Sequence, residues 1–231
     1  GGAMLEAGRL VEIGRHEELK ARRGAYWRFH SVQFKPGDEV YSRPDDLRIG
    51  TFAEFVAVKE SSVAIKPRNL SMEEAASIPL VGLTAWQALV EKAKLKKGQK
   101  VFIQAGSGGV GTFAIQLAKH LGATVATTAG TGNVAWVKNL GADVVVDYKK
   151  DDFEKVLHGY DVVLNSQDGK TLEKSLRVLQ AGGQLISISG PPTPELAEEL
   201  KAPWLTSHAR PELWHPKTSQ AKIGRASCRE R

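Results

Sequence analysis

The stretch QKVFIQAGSGGVGTFAIQLAKHLGA, residues 99 to 123, restricts the fold of this chain more than any other. "KVFIQ" (100–104) is a buried-strand run, and a glycine cluster follows it. "VGTFAIQLAKHL" (110–121) then places Val110, Phe113, Ala114, Leu117 and Leu121 at helical spacing. The same alternation continues downstream. "ATVATT" (123–128), "DVVVDY" (143–148), "YDVVLNS" (160–166) and "GQLISIS" (183–189) read as further strands. "NVAWVKNL" (133–140), ended by a C-cap at Gly141, "DDFEKVLH" (151–158) and "KTLEKSLRVLQ" (170–180), ended by Gly182 and Gly183, read as the helices between them. The strands are near-continuous Val/Ile runs, not apolar/polar alternations. Such strands belong to a parallel sheet covered on both faces, so the expected class is α/β, doubly wound, with five strands.

The flanks follow other patterns. "GDEVYS" (37–42), "GTFAEFVAV" (50–58) and "SVAIKP" (62–67) are short β runs bounded by Gly and Pro, expected to pair antiparallel. "SMEEAASI" (71–78) has Ser71 at N-cap and Glu74 at N3, a capping box. "LTAWQALVEKA" (83–93) is a second helical run. "EELKARRGAYWRFHSVQ" (17–33) reads as an amphipathic helix with no strand to cover, and residues 206–231 as a disordered tail. The expected division is an unrelated helical segment over 1–33, a β remnant over 34–80, the α/β domain over 81–205 and the tail.

Charge and cysteine content exclude several classes. The 231 residues carry 32 Lys/Arg and 26 Asp/Glu, a net +6. Residues 1–33 hold six basic and four acidic side chains, and residues 206–231 hold six and two. The centre, 34–205, is left with 20 of each and has no charge reason to bind nucleic acid. The single cysteine, Cys228, excludes a disulfide framework and a cysteine zinc site. No apolar run suits a membrane span and no signal peptide is evident, so a cytoplasmic location is expected. The six histidines lack metal-ligand spacing, so no metal is expected. "GKT" (169–171) is not a P-loop, because the required upstream glycine is Leu164. No nucleophile constellation can be assembled, and no catalytic residue is assigned.

The glycines carry the functional signal. Gly106, Gly108 and Gly111 form G-x-G-x-x-G after a strand and into a helix, the context of a dinucleotide site. Gly106 is expected to permit the turn, Gly108 to admit a pyrophosphate, and Gly111 to let helix and strand pack closely. Ser107, Gly109 and Val110 complete the loop, whose free N–H groups would face phosphates. An NAD site has Asp or Glu about 20 residues on, at the end of the second strand. Here "VATTAGTGN" (125–133) has no carboxylate, so the cofactor read is NADP(H). Thr131, Asn133 and Tyr148 are the candidates around a 2′-phosphate, with Lys149 as a nearby charge. Helix capping is the alternative role for Thr131 and Asn133.

Residues 34–205 resemble the medium-chain dehydrogenase/reductase superfamily, in its zinc-independent quinone oxidoreductase branch. The resemblance rests on "FKPGDEVYS", "GTFAEFVAV", "AASIPLVGLTAWQAL", "QAGSGGVGTFAIQLAKHLGA", "LGADVVVDYKKDDF" and "LRVLQAGGQLISISG", in family order and spacing. It implies a GroES-like catalytic domain, a Rossmann cofactor domain, and hydride transfer from NADPH to quinones or α,β-unsaturated carbonyls. It places Thr84 near the nicotinamide, and Asn165 and Ser189 at strand ends facing the cofactor cleft. Intact family members commonly form homodimers. Residues 4–33 resemble instead the C-terminal tail of an ABC transporter ATP-binding domain, without a Walker motif, and residues 222–231 look like a translated sequencing adapter. The expectation drawn is a chimeric reading frame with a truncated catalytic domain, an open edge at the fifth strand and impaired turnover. Two other readings stay open, a non-catalytic NADP-binding module and a zinc-dependent alcohol dehydrogenase of the same superfamily. A part of an ABC ATPase is set aside for want of Walker motifs.

Overall fold

The computed structural model describes residues 2–6, 9–14, 37–44, 51–56, 58, 62–190, 193, 195 and 204–206. Nearest the N-terminus, β1 (Gly2–Glu6) and β2 (Arg9–Gly14) pair antiparallel. Only Ala7 and Gly8 separate the two runs, a spacing that suits a hairpin. The helical label expected for 1–33 therefore does not extend to residues 2–14; the helix expected over 17–33 lies outside the described residues. β3 (Val40–Ser42) and β4 (Val63–Ile65) form a second antiparallel pair, as expected. The expected strand at 50–58 is not formed by residues 51–56, which make bends with Phe52 and Phe55 exposed. A strand needs a neighbour to accept its ladder bonds, and β3 and β4 pair only with each other among the described residues.

Two helices lead into the main sheet. α1 (Met72–Ala76) carries the predicted capping box: Glu74 N–H donates to Ser71 Oγ at 3.1 Å and Ser71 N–H donates to Glu74 Oε2 at 3.0 Å. α2 (Ile78–Trp86) loosens into a π-helical turn over Gln87–Lys92, with Ala93 N–H donating to the Ala88 carbonyl at 2.9 Å.

The α/β unit then alternates as its sequence pattern requires. Its elements are β5 (Lys100–Ile103), α3 (Gly109–His120), β6 (Thr124–Ala129), α4 (Val134–Asn139), β7 (Val144–Asp147), α5 (Phe153–Val156), β8 (Tyr160–Asn165), α6 (Gly169–Arg177), β9 (Leu179–Ser187) and β10 (Trp204–Thr206). The order across the sheet is β10-β9-β8-β5-β6-β7, every neighbouring pair parallel. The direction of winding reverses between β5 and β8, which makes that boundary the switch point where doubly wound sheets open a crevice.

Both faces of this sheet are covered, and the strands show why. Along β5, Val101 and Ile103 join one core with Leu89, Phe113, Ile115, Val125 and Val137. Phe102 between them joins the other, with Phe153, Tyr160, Leu172 and Leu176. β8 divides likewise, Val162 and Leu164 to the first core and Val163 to the second. Each fully buried aliphatic side chain here stabilises the fold by about 1.5–3 kcal/mol. Phe102 packs against the Phe153 and Tyr160 rings at centroid distances of 5.1 and 6.1 Å.

Two details differ from the sequence reading. Helix α6 ends at Arg177, and Gly182 and Gly183 lie inside β9 instead of terminating a helix. Gly182 takes φ +79°, and the β8–β9 register jumps between Tyr160 and Val162. A Cβ on Gly183 would come within 2.8 Å of the Tyr160 carbonyl oxygen, so the glycines permit a bulge. The five expected strands are present, and a sixth is added. Trp204–Thr206 pairs with Leu185–Ser187, so the far half of β9 is covered where an open edge was expected. Thr206 thus belongs to a strand and not to the expected tail; residues 207–231 lie outside the described residues.

Candidate functional site

Strand β5 delivers the glycine loop to the switch point. Ala105 takes φ +52°, the left-handed region that costs a residue with a Cβ. The backbone turn assigned in sequence to Gly106 is thus made at Ala105. Gly106 serves packing: a Cβ there would overlap Thr127 Oγ1 and approach Ile115 Cδ1 to 3.0 Å. Gly111 behaves as expected. Its Cβ would overlap the Ala105 carbonyl oxygen and come within 2.7 Å of Gly106 Cα, so helix and loop touch backbone to backbone. A Cβ on Gly108 would meet the Ala105 carbonyl at 3.2 Å, and one on Gly109 would meet Val81 Cγ1 at 3.0 Å.

The start of α3 leaves donors free of the helix ladder. Gly108 is the N-cap and supplies no side chain, and the first turn holds no acidic residue. Thr112 N–H donates to the Gly108 carbonyl at 3.0 Å, which begins the ladder. The N–H groups of Gly109, Val110 and Gly111 come before it. With the helix dipole behind them, such donors suit a negatively charged group. Gly108 and Gly109 are exposed, Ser107 and Val110 half-buried, Gly106 and Gly111 buried.

Strands β6 and β7 end beside this loop. Thr131 is exposed after β6, yet its hydroxyl donates to Asp147 Oδ2 at 2.7 Å, from the end of β7. That bond holds the Asp147 carboxyl below the usual carboxylate range. Partial burial opposes the lowering, and the Lys149 N–H and the Lys150 and Lys149 charges reinforce it. Asn133 is the N-cap of α4 but makes no side-chain cap bond, so capping accounts for neither residue's side chain. Tyr148 is exposed, its ring lying against Gly130, where a Cβ would meet the hydroxyl at 3.3 Å. A concavity of about 380 Å³ is lined by Tyr148, Lys149, Lys150, Asp152 and Lys155, among others. Lys150 pairs with Asp147 at 3.7 Å and Lys155 with Asp152 at 3.1 Å. Lys149 has no ion-pair partner among the described residues.

The remaining candidates are Thr84, Asn165 and Ser189. Thr84 is buried in α2, one turn past Val81, and its hydroxyl donates to the Leu80 carbonyl at 2.8 Å. Asn165 and Ser189 come together at the ends of β8 and β9. Asn165 is fully buried and does not present its amide to the cleft. Its Nδ2 donates to Ser189 Oγ at 3.1 Å and Ser187 Oγ at 3.3 Å, and also to the Gln167 carbonyl. Ser189 is exposed, and its hydroxyl donates to the same Gln167 carbonyl at 2.7 Å.

The sheet has counterparts among known proteins. Residues 109–209 match the zinc-binding dehydrogenase family. A 2-methylene-furan-3-one reductase of Solanum lycopersicum is 42% identical over 168 residues, 69% of this chain and 42% of that protein. An NADPH-dependent alkenal/one oxidoreductase of Arabidopsis thaliana, named as chloroplastic, is 38% identical over 69% of this chain and 43% of its own length. Among solved structures, the quinone oxidoreductase from Coxiella burnetii superposes with a TM-score of 0.69 at 34% identity, over 75% of this chain and 56% of that one. The chain is therefore homologous to NAD(P)H oxidoreductases and spans about two-fifths of the length of these two curated relatives.

The donor set fits a dinucleotide: free N–H groups at the α3 start, no acid in that turn, and no room for a Cβ at Gly106 or Gly111. Two features of the site were not read from sequence. The carboxylate missing from the end of β6 is present in space as Asp147. A set of buried polar side chains, Gln104, Thr128 and Ser175, also lies beneath the loop. Its signal was Gln and Thr at the ends of otherwise apolar strand runs. Among the described residues, no three His, Cys, Asp or Glu side chains are placed to share a metal ion, and no helix is long and apolar enough to cross a membrane.

Proposed function

We propose that this chain carries the cofactor-binding part of an NADPH-dependent oxidoreductase that reduces quinones or α,β-unsaturated carbonyls. The observation that carries the reading is the uncapped, acid-free first turn of α3, with Gly109, Val110 and Gly111 N–H outside the helix ladder. These donors would hold the pyrophosphate. When bound, NADPH supplies the hydride. The residues of the chain bind and orient it. The family resemblance assigns Thr84 to the nicotinamide side, and Ser189, fixed by Asn165 and the Gln167 carbonyl, to the cofactor cleft. The phosphate form of the cofactor is favoured by Lys149, the cation beside Tyr148 without an ion-pair partner among the described residues. Asp147 does not counter this strongly, because Thr131, Lys149 N–H and Lys150 already engage its carboxylate. Turnover by this chain is low. The described residues before α1 supply two short antiparallel pairs, β1–β2 and β3–β4, and exposed bends, which offer little wall to a substrate.

A fluorescence titration of the chain with NADPH and NADH tests the reading. Saturable binding that prefers NADPH is expected, with Lys149→Ala narrowing the preference. Enone or quinone reduction at ordinary enzyme rates would overturn the low-turnover statement. Absence of binding to either nucleotide would overturn the cofactor reading.

A further inference from the structure

Polar side chains from β6, α6, β8 and the residue that follows β5 form a line of buried atoms under the C-terminal ends of the sheet. Gln104 is 3% exposed, Thr128 4%, and Ser175 and Asn165 0%. The direction of every proton along the line follows from one end. Ala105 N–H donates to Thr128 Oγ1 at 3.0 Å. The Thr128 hydroxyl sends its own proton to Gln104 Oε1, also at 3.0 Å. That fixes the Gln104 amide, whose Nε2 donates to Ser175 Oγ at 2.8 Å. The Ser175 proton goes to the Thr171 carbonyl at 2.8 Å, with Asn165 Oδ1 a longer second acceptor at 3.5 Å. Asn165 in turn holds Ser187 and Ser189.

One terminus of this line is the N–H of Ala105, the left-handed residue that aims the glycine loop. The other is the first turn of α6 and the Asn165–Ser189 pair. These termini lie on opposite sides of the crevice between β5 and β8. A buried polar chain gains little net stability over apolar packing, but breaking it at one link leaves a desolvated group unpaired. Its effect is to hold both sides in one geometry.

We propose that Gln104 is a positioning residue that joins the phosphate loop, through Thr128 and Ser175, to the Ser189 end of the cleft, so that both halves of a dinucleotide are gripped together. The proposal rests on the cofactor reading above for its ligand, but the coupling itself exists in the free chain.

The test has two arms on the full chain. In the first, amide exchange at Ala105 is followed by NMR without nucleotide. Ser175→Ala, three hydrogen bonds from Ala105, is expected to speed that exchange severalfold. Gln104→Met should do the same, and the double variant should add nothing. In the second, NADPH fluorescence reads affinity. Thr128→Val and Ser175→Ala should each weaken binding about fivefold, with the pair well short of the product. Thr128→Ser, which keeps the hydroxyl, should restore affinity. Unchanged Ala105 exchange in Ser175→Ala, or fully multiplicative losses, would overturn the proposal. If Gln104→Met does not fold, the Thr128 and Ser175 cycle decides alone. If the parent chain binds no NADPH, the cofactor reading falls and the exchange arm decides the relay.

Discussion

Ala105 and Gly111 face each other across a gap too narrow for a Cβ, where a strand end meets a helix start with no side chain between. Gly111→Ala would push its methyl group into the Ala105 carbonyl. The expected outcome is a loss of about 1–3 kcal/mol, seen as a lower melting temperature, together with loss of NADPH binding. A variant that melts and binds like the parent would show that the gap can open. The role of Gly111 was legible because it depends on neighbours within six residues. Thr131 was less so. Its sequence neighbourhood lacks a carboxylate, but its hydroxyl partner, Asp147, comes from the next strand, and only the β6–β7 pairing brings them together. Asn165 was placed at the correct strand end, yet its burial depends on Ser187 and Ser189 packing over it, which no local pattern encodes.

At the scale of elements, sequence signals were readable where the bonds that make the element are local. The α1 capping box is an example, since both bonds span three residues. Ser71→Ala should cost about 1 kcal/mol, measurable by denaturant unfolding. Because the side chain is exposed and only caps, Ser71→Asp should recover most of that loss. Elements that depend on a distant neighbour were misread. Gly182 and Gly183 look like a helix stop, but β8 runs alongside and recruits them into a bulged strand. Residues 51–56 have a β-rich composition and no strand beside them among the described residues, and they make bends with phenylalanines exposed.

Over the whole molecule, the two-faced apolar strands announced the doubly wound sheet, whereas the order of its strands rests on pairings between segments distant in sequence. Charge acts at this scale too. Burial pushes the Asp143 carboxyl up, but hydrogen bonds from Lys119 and the Val125 N–H overcome it and hold it below the usual range. Asp147 is lowered by Thr131, and Asp152 by Lys174 and Lys155. A carboxyl depressed in the folded state stabilises fully above its unfolded pKa of about 4 and loses that contribution as pH falls through the folded value. Melting temperature should therefore be nearly level from about pH 7 to 5 as far as these groups are concerned, and fall below about pH 4. Asp143→Asn should shallow that fall, and an unchanged slope would remove Asp143 from the account.

The strand order also has a consequence for how the chain assembles. β5 pairs with β6 and β6 with β7 across short connections, but β5 meets β8 only after a separation of 61 residues. Closing that central seam carries the largest loop entropy in the sheet. The bond from Gln104 to Ser175 crosses the same seam over 71 residues. Early in folding, the β5–α3–β6 portion can shape a phosphate loop by itself. The crevice that turns it into a dinucleotide site comes only with the seam, so binding competence is among the last properties this sheet acquires.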